Sequence, residues 1–88
     1  MKFGIAFATA GPLANPELFE TLVRTADEVG IESIWAVEHV VLPAGFKTKY
    51  PYSKDGAFPG GERAPIPDPI VALSYAAGMT KRLKLATG

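Results

Sequence analysis

Short apolar segments alternate with helix-like segments along the chain. The first, residues 3–8, places Phe3, Ile5 and Phe7 on one face of an extended chain and small residues on the other. Because both faces are apolar, the segment is typical of a parallel strand covered on both sides. The large face suits helix packing, and the small face suits a crowded barrel interior or a ligand.

Two further apolar segments are predicted to be strands. Residues 31–37 (Ile-Glu-Ser-Ile-Trp-Ala-Val) are rich in β-branched and aromatic side chains, which favours a strand over a helix. Residues 83–88 (Leu-Lys-Leu-Ala-Thr-Gly) are the third predicted strand. Trp35, in the middle of the second strand, is expected to belong to the core.

Two helices are predicted from their start signals, Asn15-Pro16 and Asp68-Pro69, in which an N-cap residue precedes a proline at the first helical position. The first helix is expected to end at Gly30, and the second to extend from Ile70 to about Thr80. Lys81 and Arg82 would then favour the negative end of the second helix dipole. The apolar stripes are Leu18, Phe19, Leu22, Val23, Ala26 and Val29 in the first helix, and Ile70, Val71, Leu73 and Ala77 in the second.

The order of elements predicts an α/β fold. Strand, helix, strand, long loop, helix and strand follow one another, which implies right-handed β-α-β units and a parallel sheet. The loop, from about Val40 to Pro67, is rich in proline and glycine. Loops of this length are uncommon in compact domains and are usually functional or mobile.

Composition narrows the function. The 88 residues carry 9 Lys+Arg and 9 Asp+Glu, and zero net charge argues against a nucleic-acid partner. No apolar segment is long enough to span a membrane, and the apolar N-terminus is shorter than a usual secretory signal, so the cytoplasm is the expected compartment. With no cysteine and a single histidine, neither a thiolate site nor an all-protein zinc cluster is expected.

Glu38 and His39 are the candidate catalytic residues. They follow the second predicted strand, and ligands of α/β proteins bind at the carboxyl ends of parallel strands. Histidine can give or take a proton near neutral pH. A lone histidine is nevertheless more often structural, and a lone glutamate is more often a cap or surface residue. Adjacent strand residues also point to opposite faces, so both face a barrel centre only where the strand ends or bulges.

The long loop carries four aromatic residues and a basic cluster. The aromatic side chains either line a substrate pocket or cover the mouth of a barrel, and the sequence favours neither. They are Phe46, Tyr50, Tyr52 and Phe58. The basic residues Lys47, Lys49 and Lys54 are offset by nearby acidic residues, which favours a solvated surface.

Four segments in this order resemble the bacterial luciferase-like monooxygenase superfamily. They are Lys2-Phe3-Gly4-Ile5, residues 33–43 (Ser-Ile-Trp-Ala-Val-Glu-His-Val-Val-Leu-Pro), Pro67-Asp68-Pro69-Ile70 and residues 82–88 (Arg-Leu-Lys-Leu-Ala-Thr-Gly). The form Glu-His-Val-Val-Leu-Pro, with Tyr50-Pro51-Tyr52 and Gly56, most resembles the branch of probable oxidoreductases that use the deazaflavin coenzyme F-420.

The resemblance implies a fold, a cofactor and site residues. The family fold is a (β/α)8 barrel that binds a deazaflavin or flavin at its C-terminal face, with coenzyme F-420 expected and FMN the alternative. His39 would act as acid or base, or stabilise charge, during hydride transfer to or from a small organic substrate, with Glu38 beside it. Ala86, Thr87 and Gly88 would back the cofactor ring at the end of the third strand.

Length separates the chain from a whole barrel of this type, which needs about 250 residues. Residues 1–88 are therefore expected to be the N-terminal part of the barrel, inactive alone, with open sheet edges that favour homo-oligomers. The alternative is a non-catalytic flavin-binding or self-assembling structural module on a half-barrel.

Overall fold

The structure, a computed structural model, describes residues 1–39 and 41–88, so Val40, where the predicted loop begins, lies outside the described residues. It contains three strands, two α-helices and two short 3-10 helices. The strands are β1 (Gly4–Ile5), β2 (Ser33–Ala36) and β3 (Lys84–Thr87). The α-helices are α1 (Pro16–Val29) and α2 (Pro69–Ala77), and the 3-10 helices are Gly11–Ala14 and Gly61–Arg63.

The strands form one parallel sheet in the order β1-β2-β3. Ile34 pairs with Ile5 on one side and with Leu85 on the other, so the carboxyl ends of the strands meet at one edge. The predicted α/β fold, a β-α-β-α-β portion of a (β/α)8 barrel, is confirmed.

Strand β1 is shorter than predicted. The prediction covered residues 3–8, whereas the regular strand ends at Ile5. Phe7 adopts a left-handed backbone with φ of 59°, which ends the alternation of side chains between the two faces. The Ala8 N–H then donates to the Trp35 carbonyl over 3.0 Å, so the segment returns to β2 after this kink.

Helix α1 begins and ends as predicted. The Asn15 side chain accepts hydrogen bonds from the N–H groups of Glu17 and Leu18, and Pro16 occupies the first turn. Gly30 follows the helix with φ of 84°, a left-handed conformation that glycine adopts without strain.

The buried face of α1 is narrower than the predicted stripe. Phe19, Val23 and Ala26 are buried, whereas Leu18 and Val29 are exposed. The buried residues follow one another at helical spacing and enter a core that also contains Ile34. Leu18 and Val29 lie to one side of that line.

Helix α2 starts at the predicted cap, because the Asp68 carboxylate accepts the Val71 N–H over 2.9 Å. It ends at Ala77 rather than near Thr80. The Gly78 N–H donates to the Ser74 carbonyl, and the Thr80 hydroxyl donates to the Ala76 carbonyl. These two hydrogen bonds satisfy carbonyl groups in the last turn of the helix.

The predicted apolar stripe of α2 is largely wrong. Leu73 is buried as expected, but its companions on the core face are Ala72 and Ala76. Ile70 and Val71 are exposed, and so is Ala77. The helix is apolar nearly all round, and the small alanine side chains form the face that packs on the sheet, which leaves the larger residues outside.

Arg82 contacts the end of α1 and not, as predicted, the end of α2. Its Nη2 donates to the Asp27 carbonyl over 2.6 Å and to the Glu28 carbonyl, in the last turn of α1. In return the Asp27 carboxylate accepts the backbone N–H groups of Lys81, Arg82 and Leu83. These bonds join the end of α1 to the start of β3, and we call them the Asp27 clasp.

The sheet has one covered face and one bare face. Ile34 and Ala36 point into the core beneath the helices. Trp35 alternates with them and points to the opposite face, where 46% of its surface is exposed. The expectation that Trp35 belongs to the core is therefore wrong. On the bare face a Cβ added at Gly4 would lie 3.5 Å from the Trp35 Nε1, so the small face of β1 contacts this indole.

Candidate functional site

The carboxyl edge of the sheet is fixed by the segment that follows β1. Thr9 is 1% exposed, and its hydroxyl oxygen accepts the Val37 N–H over 3.1 Å. Together with the bond from the Ala8 N–H to the Trp35 carbonyl, this contact fixes the backbone that leads to Glu38 and His39. The candidate histidine therefore follows a backbone held by two hydrogen bonds to the segment after β1.

A cavity of about 360 Å³ lies at this edge. Its walls come from the segment after β1, the end of β2 and the long loop. The lining residues include Phe7, Gly11, Val37, His39, Tyr50, Phe58, Pro59, Pro65 and Ile66. The structure thus places His39 in a concave, mostly apolar site, the usual form of a small-molecule pocket.

An aromatic ring of the long loop, that of Phe58, packs against His39. The imidazole and the Phe58 ring are 5.3 Å apart between centroids and meet edge to face at 85°. Phe58 in turn contacts Tyr50 at 5.1 Å. Edge-to-face pairs at these distances are favourable, so His39, Phe58 and Tyr50 form one packed group, which we call the aromatic wall.

The aromatic wall is supported by hydrogen bonds within the long loop. The Tyr50 N–H donates to the Gly56 carbonyl over 2.8 Å, and the Gly61 N–H donates to the Phe58 carbonyl over 2.8 Å. A Glu62 carboxylate oxygen accepts the Gly45 N–H, which connects two distant parts of the loop. The loop is therefore folded upon itself at the place where it covers the cavity.

Of the four aromatic residues in the long loop, two line the cavity and two do not. Tyr50 and Phe58 line the cavity, whereas Phe46 and Tyr52 are not among its lining residues. Tyr52 is 87% exposed and contacts Tyr50 from outside. Two of the four rings form the pocket, and the others lie outside it.

Within the described part of the chain, His39 is the basic side chain of the cavity lining. None of its lining residues carries a charged carboxylate, ammonium or guanidinium group. The loop lysines Lys47, Lys49 and Lys54 are exposed, as the sequence predicts for a solvated surface. His39 and Tyr50 supply the polar side-chain atoms of the lining, and no side chain or backbone group among residues 1–39 and 41–88 hydrogen-bonds to either ring.

The other candidate site residues lie outside the cavity. Glu38 is exposed and is not a lining residue. Ala86, Thr87 and Gly88 do not line the cavity either, although they reach the same edge of the sheet. Thr87 pairs with Ala36 in the parallel register, and the Gly88 N–H donates to the Ala36 carbonyl over 3.3 Å.

The end of β3 and Trp35 form a flat apolar surface. Ala86 pairs with Trp35 in the sheet, and a Cβ added at Gly88 would lie 3.5 Å from the indole Cε3. Small residues beside an exposed indole leave room for a planar ring to stack. The residues present therefore fit the ring of a flavin-type cofactor.

Several residues of the cavity could not be identified from the sequence. Phe7 was predicted on the helix-packing face, but its positive φ takes it out of the alternation and into the cavity lining. Ala64 and Ile66 approach the site through the fold of the loop. No local sequence signal marks these positions.

A second cavity of about 390 Å³ lies between the helices. It is lined by residues such as Leu13, Phe19, Val71 and Tyr75. At its rim the Tyr75 hydroxyl donates to the Glu20 carboxylate over 2.6 Å, and this bond raises the pKa of Tyr75 and lowers the pKa of Glu20.

Among residues 1–39 and 41–88 no helix is both long and apolar enough to cross a membrane. The same residues contain no group of three or more His, Asp or Glu side chains placed to hold a metal ion.

The fold and the site define an α/β protein of parallel β-α-β units with its pocket at the carboxyl edge of the sheet. Residues 1–88 match the family of luciferase-like monooxygenases, and the chain belongs to that family. Members use flavin-type cofactors, so at this level the chain is part of a flavin- or deazaflavin-type oxidoreductase family. No curated protein and no solved structure matches the chain.

Proposed function

We propose that the chain supplies the substrate-side part of an oxidoreductase that uses coenzyme F-420, with FMN as the alternative cofactor. The observation that carries this proposal is the position of His39, which lines an apolar cavity at the carboxyl edge of a parallel sheet. Membership of the luciferase-like family supports the cofactor class. The form Glu38-His39 with the Tyr50-Pro51-Tyr52 segment supports the deazaflavin branch.

His39 holds or moves the proton at a small organic substrate. A deazaflavin or flavin, when bound, supplies two-electron hydride chemistry. The imidazole is free of protein hydrogen bonds within the described residues, so its nitrogen atoms are available to a substrate oxygen. Phe58 packs edge to face on the imidazole and limits its rotation.

Ala86 and Gly88 support the cofactor ring together with Trp35, and Thr87, which pairs with the core residue Ala36, contributes its backbone alone. The small side chains at the end of β3 let a planar ring approach the sheet, and the indole offers a stacking surface. Glu38 is assigned a secondary role, because it is not among the residues that line the cavity containing His39.

A fluorescence titration tests the cofactor assignment. Trp35 is the chain's single tryptophan, so its emission reports on the proposed ring site. We expect oxidised F-420 to quench Trp35 emission saturably, and FMN to do so with lower affinity. Gly88→Leu, which fills the surface beside the indole, should weaken the quenching, whereas Lys47→Leu on the exposed loop should not.

The result that contradicts the cofactor assignment is equally clear. If neither F-420 nor FMN quenches Trp35, or if Gly88→Leu leaves the titration unchanged, the ring does not bind at the end of β3. If FMN binds more tightly than F-420, the deazaflavin assignment is wrong and the flavin alternative takes its place.

The bare sheet face favours a second candidate function, a flavin-binding or self-assembling module without catalysis. Trp35 is 46% exposed there, and β1 and β3 are the outer strands of the sheet. Assembly of copies through this face predicts a concentration-dependent dimer in sedimentation that Trp35→Lys abolishes. A monomer at all concentrations contradicts it.

A further inference from the structure

The cavity beside His39 is a recognition site for a narrow class of small molecule. The cavity is lined by aromatic rings and has no acidic, lysine or arginine side chain among the described residues. These features limit the substrate independently of the cofactor surface beside Trp35 and Gly88. This inference rests on the proposed function, because it treats the cavity as the substrate pocket.

The composition of the cavity lining disfavours charged ligands. The lining contains no charged carboxylate, ammonium or guanidinium group among the described residues. With the His39 imidazole in its uncharged form, an ionised ligand would lose hydration without gaining an ion pair, and an unpaired charge in an apolar site is costly. The loop lysines lie outside, on the exposed surface, and do not offset this cost.

Shape favours a flat ring. Phe58 lies between His39 and Tyr50, with interplanar angles of 85° and 75°, so the aromatic wall presents both ring faces and ring edges. Phe7 adds a further ring from the opposite segment. Aromatic ligands gain from such edge and face contacts beyond the area that they bury.

Size limits the ligand to about two rings. A cavity of about 150 Å³ is known to hold one benzene molecule, and this one has about 360 Å³. A single ring with a short substituent, or two fused rings, would fill it. His39 and Tyr50 then offer polar atoms for one oxygen atom of the ligand.

We propose that the cavity selects an uncharged, planar ring compound that carries one hydrogen-bonding oxygen, which His39 receives. Two polar side chains, His39 and Tyr50, are few for the several hydroxyl groups of a sugar, and a lining without lysine or arginine disfavours a carboxylate or a phosphate when the imidazole is uncharged. The site therefore differs from one built for a charged metabolite.

Three probes of similar size separate the features of this proposal. Acetophenone is neutral, planar and carries one oxygen; benzoate adds a charge; cyclohexyl methyl ketone keeps the oxygen but lacks the flat ring. Binding is followed by NMR through the imidazole resonances of His39, without cofactor. At a pH at which the imidazole is uncharged, we expect acetophenone to shift these resonances and to bind at least roughly tenfold more tightly than benzoate, and more tightly than cyclohexyl methyl ketone.

Two loop variants locate the binding. Phe58→Ala should weaken acetophenone binding about fivefold, because it removes the ring that contacts both His39 and Tyr50. Phe46→Ala is the matched control, since it removes a loop ring that does not line the cavity, and it should leave the affinity unchanged.

Several results overturn the proposal. They are equal or tighter binding of benzoate, equal binding of the non-planar ketone, absence of any shift at His39, and insensitivity to Phe58→Ala. Displacement of acetophenone from His39 by F-420 would show that the cofactor ring itself occupies the cavity. Since Trp35 emission reports cofactor binding separately, failure of this proposal is distinguishable from failure of the proposed function.

Discussion

At the scale of single residues, the site depends on side chains whose neighbours in sequence behave differently. His39 lines the cavity, whereas Glu38 beside it does not, although both residues are exposed. This separation follows from extended backbone, in which successive side chains point apart. The sequence identifies both residues as candidates, but the fold places only His39 in the cavity lining.

His39→Ala should lower kcat of the complete enzyme about 100-fold or more, because acid-base groups contribute on this order. His39→Gln should give a similar loss, since its amide can form a hydrogen bond but cannot transfer the proton. Glu38→Gln is the matched control and should change kcat less. The assignment fails if His39→Ala retains full turnover while Trp35 titration shows that the cofactor still binds.

Thr9→Val should loosen the backbone that leads to His39. The substitution keeps the shape of the side chain but removes the oxygen that accepts the Val37 N–H, and an unpaired buried donor costs about 1–3 kcal/mol. Amide hydrogen exchange at Val37 should become faster, and Thr9→Ser, which keeps the hydroxyl, should leave it slow. Equal exchange in both variants would contradict this role for Thr9.

At the scale of elements, the predicted starts of both helices and the end of α1 held, whereas most of the predicted buried face of α2 did not. Asn15, Pro16 and Gly30 act within one turn of their own helix ends, so the bounds of α1 could be predicted from the sequence. The buried face of α2 could not be, because that helix is apolar nearly all round and the sheet selects its alanine face.

The helix end that Arg82 contacts could not be predicted from the sequence either. A cation near a helix end is favourable whichever helix supplies the carbonyl groups. The sequence places Arg82 beside α2, but the fold brings the end of α1 within reach of its guanidinium. Only the packing of the two helices decides between them.

The Asp27 clasp predicts an acid-sensitive connection between α1 and β3. The backbone N–H of Arg82, followed by those of Leu83 and Lys81, holds the pKa of the Asp27 carboxyl below its ordinary value of 3.8. A lowered folded-state pKa means that the stabilisation is present above pH 3.8 and is lost as the pH falls through the lowered value.

Asp27→Asn should therefore lower the melting temperature at neutral pH, and its difference from the wild type should narrow in acid. Asp55→Asn is the matched control, because the Asp55 carboxylate also accepts a backbone N–H and has a lowered pKa, but its bond stays within the long loop. A pH-independent difference for Asp27→Asn would rule out the ionised clasp.

At the scale of the whole molecule, the sequence predicts the parallel α/β arrangement, and the cavity depends on features that it does not mark. The order of elements and the apolar strands sufficed for the sheet. The left-handed backbone of Phe7 and the folded loop that brings Phe58 to His39 arise from contacts between distant segments. Trp35 was misjudged because a bare sheet face and a covered face have the same alternating pattern.

Two surfaces therefore meet at one edge of the sheet. The cavity contains His39, and the flat surface at the end of β3 contains Trp35 and Gly88. The parallel register brings both to the carboxyl ends of their strands. In the proposed function, His39 faces the substrate while the cofactor ring lies on the neighbouring surface.

Intermolecular nuclear Overhauser effects test this arrangement most directly. With F-420 and acetophenone both bound, we expect contacts from the His39 imidazole protons to acetophenone, and from the Trp35 indole protons to the deazaflavin ring. Contacts from bound acetophenone to other parts of the surface, with none to His39, would contradict the account, as would a bound deazaflavin without contact to Trp35.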